Sequence, residues 1–183
     1  MRRKSHQQLG RYLAQQYLSH LPRNHLRAFY LGCVEPDWNP ATYLKGSLRH
    51  QWLRGHNYPN ARHFMSRIAR RLEGKQRLSL ADCYTLGKLI HYTADAFTQV
   101  HNAGSGTCLA HHRQYEAALQ THFLQYLQQL PQVEVLSAPS IMEALSRAHV
   151  QYQQQEPHIR TDARFALNAC CCVLAVLLSP RIF

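Results

Sequence analysis

From Ser79 to His101 the chain carries the pattern that most restricts its fold. Ser79 with Asp82 three residues on is a capping-box pairing, after which Leu86, Leu89, Ile90, Ala94 and Phe97 recur at helical spacing towards His101. A helix this apolar has no polar face for water and must be surrounded by other elements. The rest of the chain offers helices for that purpose. Leu9, Leu13 and Tyr17 mark a first one, capped by Ser5 and ended before Pro22, with His6 in its first turn. Ala61 to Glu73 turns Phe64, Met65, Ile68 and Leu72 inward and Arg62, Arg67, Arg70 and Arg71 outward. Further helices are expected from about His111 to Leu130, from Ser140, capped together with Glu143, to about Gln155, and from about Asp162 to Leu178. Val133 to Leu136 is strand-like but short and lies in a loop. The expectation is an all-α, single-domain multi-helix bundle over residues 1–183, a length that buries one core and is too short for two ordinary domains.

Between Gly32 and Pro59 the pattern lapses. Pro36, Pro40, Gly46, Gly55 and Pro59 interrupt any periodicity, so this stretch reads as a long structured loop with short helical pieces, a kind of segment that often carries function. Met1-Arg-Arg-Lys-Ser-His6 is basic but leads into Gln7, Gln8, Gly10 and Arg11, without the apolar stretch of a signal peptide. The most apolar run, Ala169 to Leu178, is half the ~20 residues that cross a bilayer and reads as a buried helix stopped by Pro180. Cys33, Cys83, Cys108, Cys170, Cys171 and Cys172 show no paired CxxC spacing, so reduced core thiols and a cytoplasmic setting are expected. The formal charge of +11 favours anionic partners: phospholipid surfaces, with peripheral membrane contact, nucleic acids or phosphate esters.

Within this helical frame one group of side chains points to metal chemistry. His91 and Asp95 are four apart on the apolar helix, so both project from one face as two ligands of one ion require. His112 and Glu116 repeat the spacing on the next helix, and His158 with Asp162 is a third such pair. Spacing alone does not decide, because thirteen histidines and ten acidic residues in 183 positions give about 0.7 such pairs by chance. Placement separates them. A carboxylate on an apolar helix is costly to bury unless it is paired or metal-bound, which favours His91/Asp95, with a buried His–Asp hydrogen bond as the other reading. His112/Glu116 sits in a polar turn with His111, Arg113 and Gln114, where a solvated pair is the competing account. His101 is read either as a ligand or as a cation at a helix C-terminus. The stretch from Pro131 to Phe183 gives no functional signal, and His149 and His158 there read as surface or core histidines.

Leu86-Gly-Lys-Leu-Ile-His91-Tyr-Thr-Ala-Asp95, then Val100-His101-Asn-Ala and His112-Arg-Gln-Tyr-Glu116, resembles the zinc-dependent phospholipase C family in residue type, spacing and order. So does Gly32-Cys-Val-Glu-Pro-Asp37, similar to that family's Gly-x-x-x-Pro-Asp segment. His56-Asn-Tyr-Pro resembles its His-aromatic-Tyr turn, and Ser5-His6 its N-terminal metal histidine. The likeness covers roughly the first two-thirds of the chain. It implies a phospholipase C / zinc nuclease-like fold and zinc as cofactor, in two or three ions. One ion would be held by Asp37, His56, His91 and Asp95, with His50 and His63 as alternatives to His56, and a second by His101, His112 and Glu116. A third would use His6 and share Asp95. In that family the third zinc is also held by the amino group and carbonyl of a terminal tryptophan exposed by processing; this chain has Met1 and two arginines there and departs from the pattern.

The resemblance implies a metal-dependent phosphodiester hydrolase, with a zinc-activated water releasing phosphorylated head groups from glycerophospholipid. Asp37 is the candidate catalytic residue that orients or deprotonates that water, and Trp38, Tyr58 and Phe97 are candidates either for the cleft or for the core. Two other readings stand beside it. One is a zinc-dependent nuclease, which suits the basic charge but lacks dense aromatic-basic interleaving. The other is a non-catalytic metal-binding or membrane-associated protein.

Overall fold

The computed structural model describes residues 1–39, 58–102 and 109–179. These form seven α-helices: α1 (Arg3–Tyr17), α2 (Arg23–Val34), α3 (Tyr58–Leu72), α4 (Leu80–Ala96), α5 (Leu109–Gln128), α6 (Ile141–Gln153) and α7 (Ile159–Leu178). Short 3-10 turns follow α2 at Glu35–Asp37 and α4 at Gln99–His101. No strand occurs among the described residues, and Val133 to Leu136 is irregular. The fold is all-α, as the periodicities require.

Helix α4 is the axis of the bundle. The Ser79 hydroxyl accepts from the Asp82 N–H while the Asp82 carboxylate accepts from the Ser79 N–H, which completes the capping box. Lys75 Nζ lies 2.7 Å from both Asp82 oxygens. From there Leu86, Leu89 and Ile90 are wholly buried, each contributing ~2 kcal/mol of apolar burial. Helix α2 lies tightly against α4, with α3 and α7 flanking it; α1 crosses α2, and α5 packs chiefly on α7 and α1. The apolar core draws on all seven helices.

Two glycines set the closest approach. A Cβ at Gly32 would overlap the Tyr84 carbonyl oxygen, and one at Gly87 would overlap that of Phe29. With no side chain at either position, the backbones of α2 and α4 touch.

Several boundaries differ from expectation, each for a physical reason. Ser5 does not cap α1: the helix starts at Arg3 after Arg2, which makes no side-chain cap, and Ser5 is buried inside it. Helix α2 has no counterpart in the sequence reading, because Pro22 precedes it without a side-chain cap and its residues run directly into the Pro36 region. The segment expected as loop from Gly32 is therefore helical to Val34, and Tyr58 and Pro59 open α3. Residues 40–57 and 103–108, among them His50, His56 and Cys108, lie outside the described residues. Helix α4 ends at Ala96, so His101 belongs to the separate 3-10 turn. Helix α7 begins at Ile159, with the His158 ring accepting from the Arg160 N–H.

Cys33, Cys83, Cys170, Cys171 and Cys172 are all buried free thiols. Helix α7 is long and apolar enough by length and composition to cross a membrane, yet 56% of its most apolar window is buried inside the protein. Its apolar surface is covered largely by the other helices.

Gly87→Ala is expected to lower unfolding free energy by about 3 kcal/mol or more, because backbone atoms on both sides cannot give way. Gly10→Ala, whose added Cβ would meet side-chain atoms alone, the nearest being Cys33 Sγ at 3.2 Å, is expected to cost much less. Chemical denaturation of the two variants checks the ranking.

Candidate metal centre

The α2–α4 contact fixes the first histidine. His91 Nδ1 lies 2.9 Å from the Cys33 carbonyl, an acceptor only, so that nitrogen carries a proton. Its Nε2 is 3.3 Å from Asp95 Oδ2 and 3.7 Å from Asp37 Oδ1. Asp37 reaches this position from the 3-10 turn after α2, whose Glu35 is tied back to α4 by Lys88 at 2.8 Å. His6 comes from α1 and stacks on the His91 ring at 3.9 Å, with Nε2 3.3 Å from Asp95 Oδ1.

The second part of the centre is built from the turn after α4 and from α5. The Thr98 hydroxyl donates to the Asp95 carbonyl and accepts from His101 Nδ1 at 2.7 Å, which fixes that ring. The His101 and His112 rings stand nearly perpendicular with centroids 5.3 Å apart, and His112 Nε2 is 3.6 Å from Glu116 Oε1. Asp95 lies between the two parts, with Oδ1 also 4.0 Å from His101 Nδ1.

The α-amino group of Met1, which sequence reasoning missed, joins them. It hydrogen-bonds to Asp95 and lies 3.3 Å from Glu116 Oε1. Arg2 tethers this end to α5 through the Arg113 carbonyl at 3.0 Å. The resemblance pointed to a terminal amino group near His6, but with Met1 and two arginines in place of tryptophan the chain departed from the pattern.

The electrostatics follow from these contacts. Burial would raise the Asp95 carboxyl, but the Met1 amine, His101, His6 and His91 together hold it well below the usual carboxylate range. Burial likewise opposes charge on the Met1 amine, yet Asp95 and Glu116 push it above its ordinary value. His6 is lowered, first by burial and then by His91.

Two groups have ligand atoms within 4.8 Å of one another: His6, His91 and Asp95, and His101, His112 and Glu116. Their imidazole nitrogens and carboxylate oxygens suit zinc. His6 supplies the sharper test of fit, for it is buried, its Nδ1 makes no hydrogen bond among the described residues and its Nε2 faces the Asp95 carboxylate. A neutral imidazole left this way is destabilising, about 1–3 kcal/mol for each unsatisfied polar group, unless a cation takes a lone pair. Asp37 Oδ2 is also buried without a hydrogen bond. The residues fit a metal.

Of the candidates read from the sequence, His6, Asp37, His91, Asp95, His101, His112 and Glu116 converge. His63, the alternative to His56, is exposed on α3. Phe97 is a core residue packed on His149, Tyr152 and Phe165, not a cleft residue. Tyr58 stacks on His149 at 3.8 Å, and Trp38 is 56% exposed.

His149 supports the centre from outside. Its Nε2 meets Asn102 Oδ1 at 2.9 Å, while Asn102 Nδ2 donates to the Ala96 and Thr98 carbonyls. Burial pushes the imidazole down to about 4 from its ordinary 6.5. The fold therefore favours the neutral ring. Its contribution is complete above the unfolded value of about 6.5 and is lost as pH falls from there towards 4. His149→Phe, which keeps an aromatic ring on Tyr58, is expected to flatten the pH dependence of the melting temperature across that window.

The family model described as zinc-dependent phospholipase C matches residues 5–160. No curated protein and no solved structure gives a match. The match spans helices α1 to α6 and every described side chain of the centre, so the chain belongs to the zinc-dependent phospholipase C family, and its cofactor is zinc.

Proposed function

We propose that this protein is a phospholipase C-type phosphodiesterase that releases a phosphorylated head group from glycerophospholipid. The observation that carries this reading is the convergence of His6, His91 and Asp95 with His101, His112 and Glu116 around one buried carboxylate, in a chain of this family. His6, His91 and Asp95 form one ligand set, with Asp37 at its rim, and His56 is proposed to complete it. His101, His112 and Glu116 form the other.

Bound zinc would supply Lewis acidity, neutralising phosphoryl oxygens and making water a stronger acid. The chain's own residues set the rest. Asp95, spanning the two ligand sets, fixes their separation. The Asp37 side chain is 21% exposed, in contrast to the 1% of Asp95, so it is the carboxylate that water and substrate reach. Its proposed role is to orient a water and accept its proton. Hydrogen bonds from His91 Nδ1 to the Cys33 carbonyl and from His101 Nδ1 to the Thr98 hydroxyl hold the rings during turnover. The basic charge of +11 supports attraction of an anionic substrate.

Protein purified without added metal or a histidine tag is expected to contain two or three zinc ions per chain and to cleave dispersed short-chain phospholipid in a chelator-sensitive way. Asp37→Asn is expected to lower that rate by about 100-fold or more while leaving the melting temperature unchanged. Full activity in Asp37→Asn removes Asp37 from the mechanism. Cleavage of single-stranded nucleic acid in place of lipid makes the protein a nuclease, and zinc that raises the melting temperature without turnover of either makes the metal structural.

A further inference from the structure

Asp162 is a second carboxylate in an apolar helix, and it lies just beyond the matched segment. It is wholly buried in the first turn of α7. Its Oδ2 accepts two hydrogen bonds, from the Gln99 backbone N–H at 2.8 Å and from the Tyr115 hydroxyl. Its Oδ1 accepts from the Tyr152 hydroxyl at 2.7 Å. Burial first, and then Asp162 itself, raise both phenols above their ordinary value, so they remain donors.

The donors' positions matter. Gln99 opens the 3-10 turn that ends in His101. Tyr115 follows His112 by three residues and immediately precedes Glu116 on α5. One oxygen therefore holds both elements that carry the second ligand set. Helix α5 packs chiefly on α7 and α1 while the turn continues α4, so this oxygen bridges two separate parts of the bundle. Tyr152 ties the other oxygen to α6, which carries no candidate ligand.

We propose that Asp162 is a positioning residue for the second metal set: through Oδ2 it fixes the distance between His101 and the His112/Glu116 pair. The proposal rests on the metal reading of that set. It gives the C-terminal helix a part in the centre, although α7 supplies no ligand.

The test compares Tyr115→Phe with Tyr152→Phe, each of which removes one hydroxyl from Asp162 and keeps its ring. Zinc affinity is measured by chelator competition, and the cobalt-substituted proteins are compared by visible absorption. Tyr115→Phe is expected to weaken one ion by about 10- to 100-fold, the same ion that His112→Ala removes, and to alter its cobalt band. Tyr152→Phe is expected to lower the melting temperature of the zinc-free protein comparably while leaving both affinities unchanged. Equal losses of zinc in the two variants, or none in either, overturn the proposal. Should Tyr115→Phe fail to fold, Asp162→Asn and Asp162→Ala read the same link. The asparagine oxygen can take both Oδ2 bonds, so Asp162→Asn is expected to keep the second ion and Asp162→Ala to lose it; loss in both makes the role one of charge and overturns positioning. A wild-type chain with no zinc at His101, His112 and Glu116 overturns the metal reading and this one together. A wild-type chain with both sets filled and a matching Tyr115→Phe overturns this one alone.

Discussion

Asp95 is a negative charge, 1% exposed, in the last turn of the buried helix α4. An ionised carboxylate in such a place requires compensation worth several kcal/mol, and the elements around it supply the compensation. Helix α1 brings His6 and the Met1 amine, α4 brings His91 from one turn away, and the turn after α4 brings His101. The placement of these elements is thus tied to one carboxylate. The same constraint explains the tight α2–α4 contact, because only a helix pair with glycines at its crossing brings the Cys33 carbonyl within reach of His91.

The two ligand sets occupy different environments. His6, His91 and Asp95 are fully enclosed, whereas His112 and Glu116 are half-buried. The low-dielectric set strengthens the interaction of its groups with any cation, while the outer set remains accessible from solvent.

Much of this was legible in the sequence where the signals are local. The capping box at Ser79 and the one-turn spacing of His91 and Asp95 depend only on neighbours in the chain, and both stand as read. Helix α2 was not legible, because it begins after Pro22 without a side-chain cap and what stabilises it is its contact with α4. Ser5 misled for a related reason: the start of α1 is drawn one turn's reach towards Asp95, so Ser5 falls inside the helix. The polar turn around His112 suggested a solvated pair, and no local pattern signals that residue 1 folds back against Glu116. Asp162 was noted only for its spacing from His158. It is, like Asp95, a carboxylate among apolar residues, but its tyrosine partners lie 47 and 10 residues away and no spacing rule connects them.

The order of residues along the chain has a consequence for assembly. Every described ligand candidate, from His6 to Glu116, precedes α7. The bonds that Gln99 and Tyr115 make to Asp162 therefore cannot exist on a growing chain until synthesis has passed residue 162. A nascent chain emerges with its histidines and carboxylates but without the brace between the 3-10 turn and α5. If Asp162 is that brace, a chain released before α7 carries the candidate donors without the link that sets their spacing.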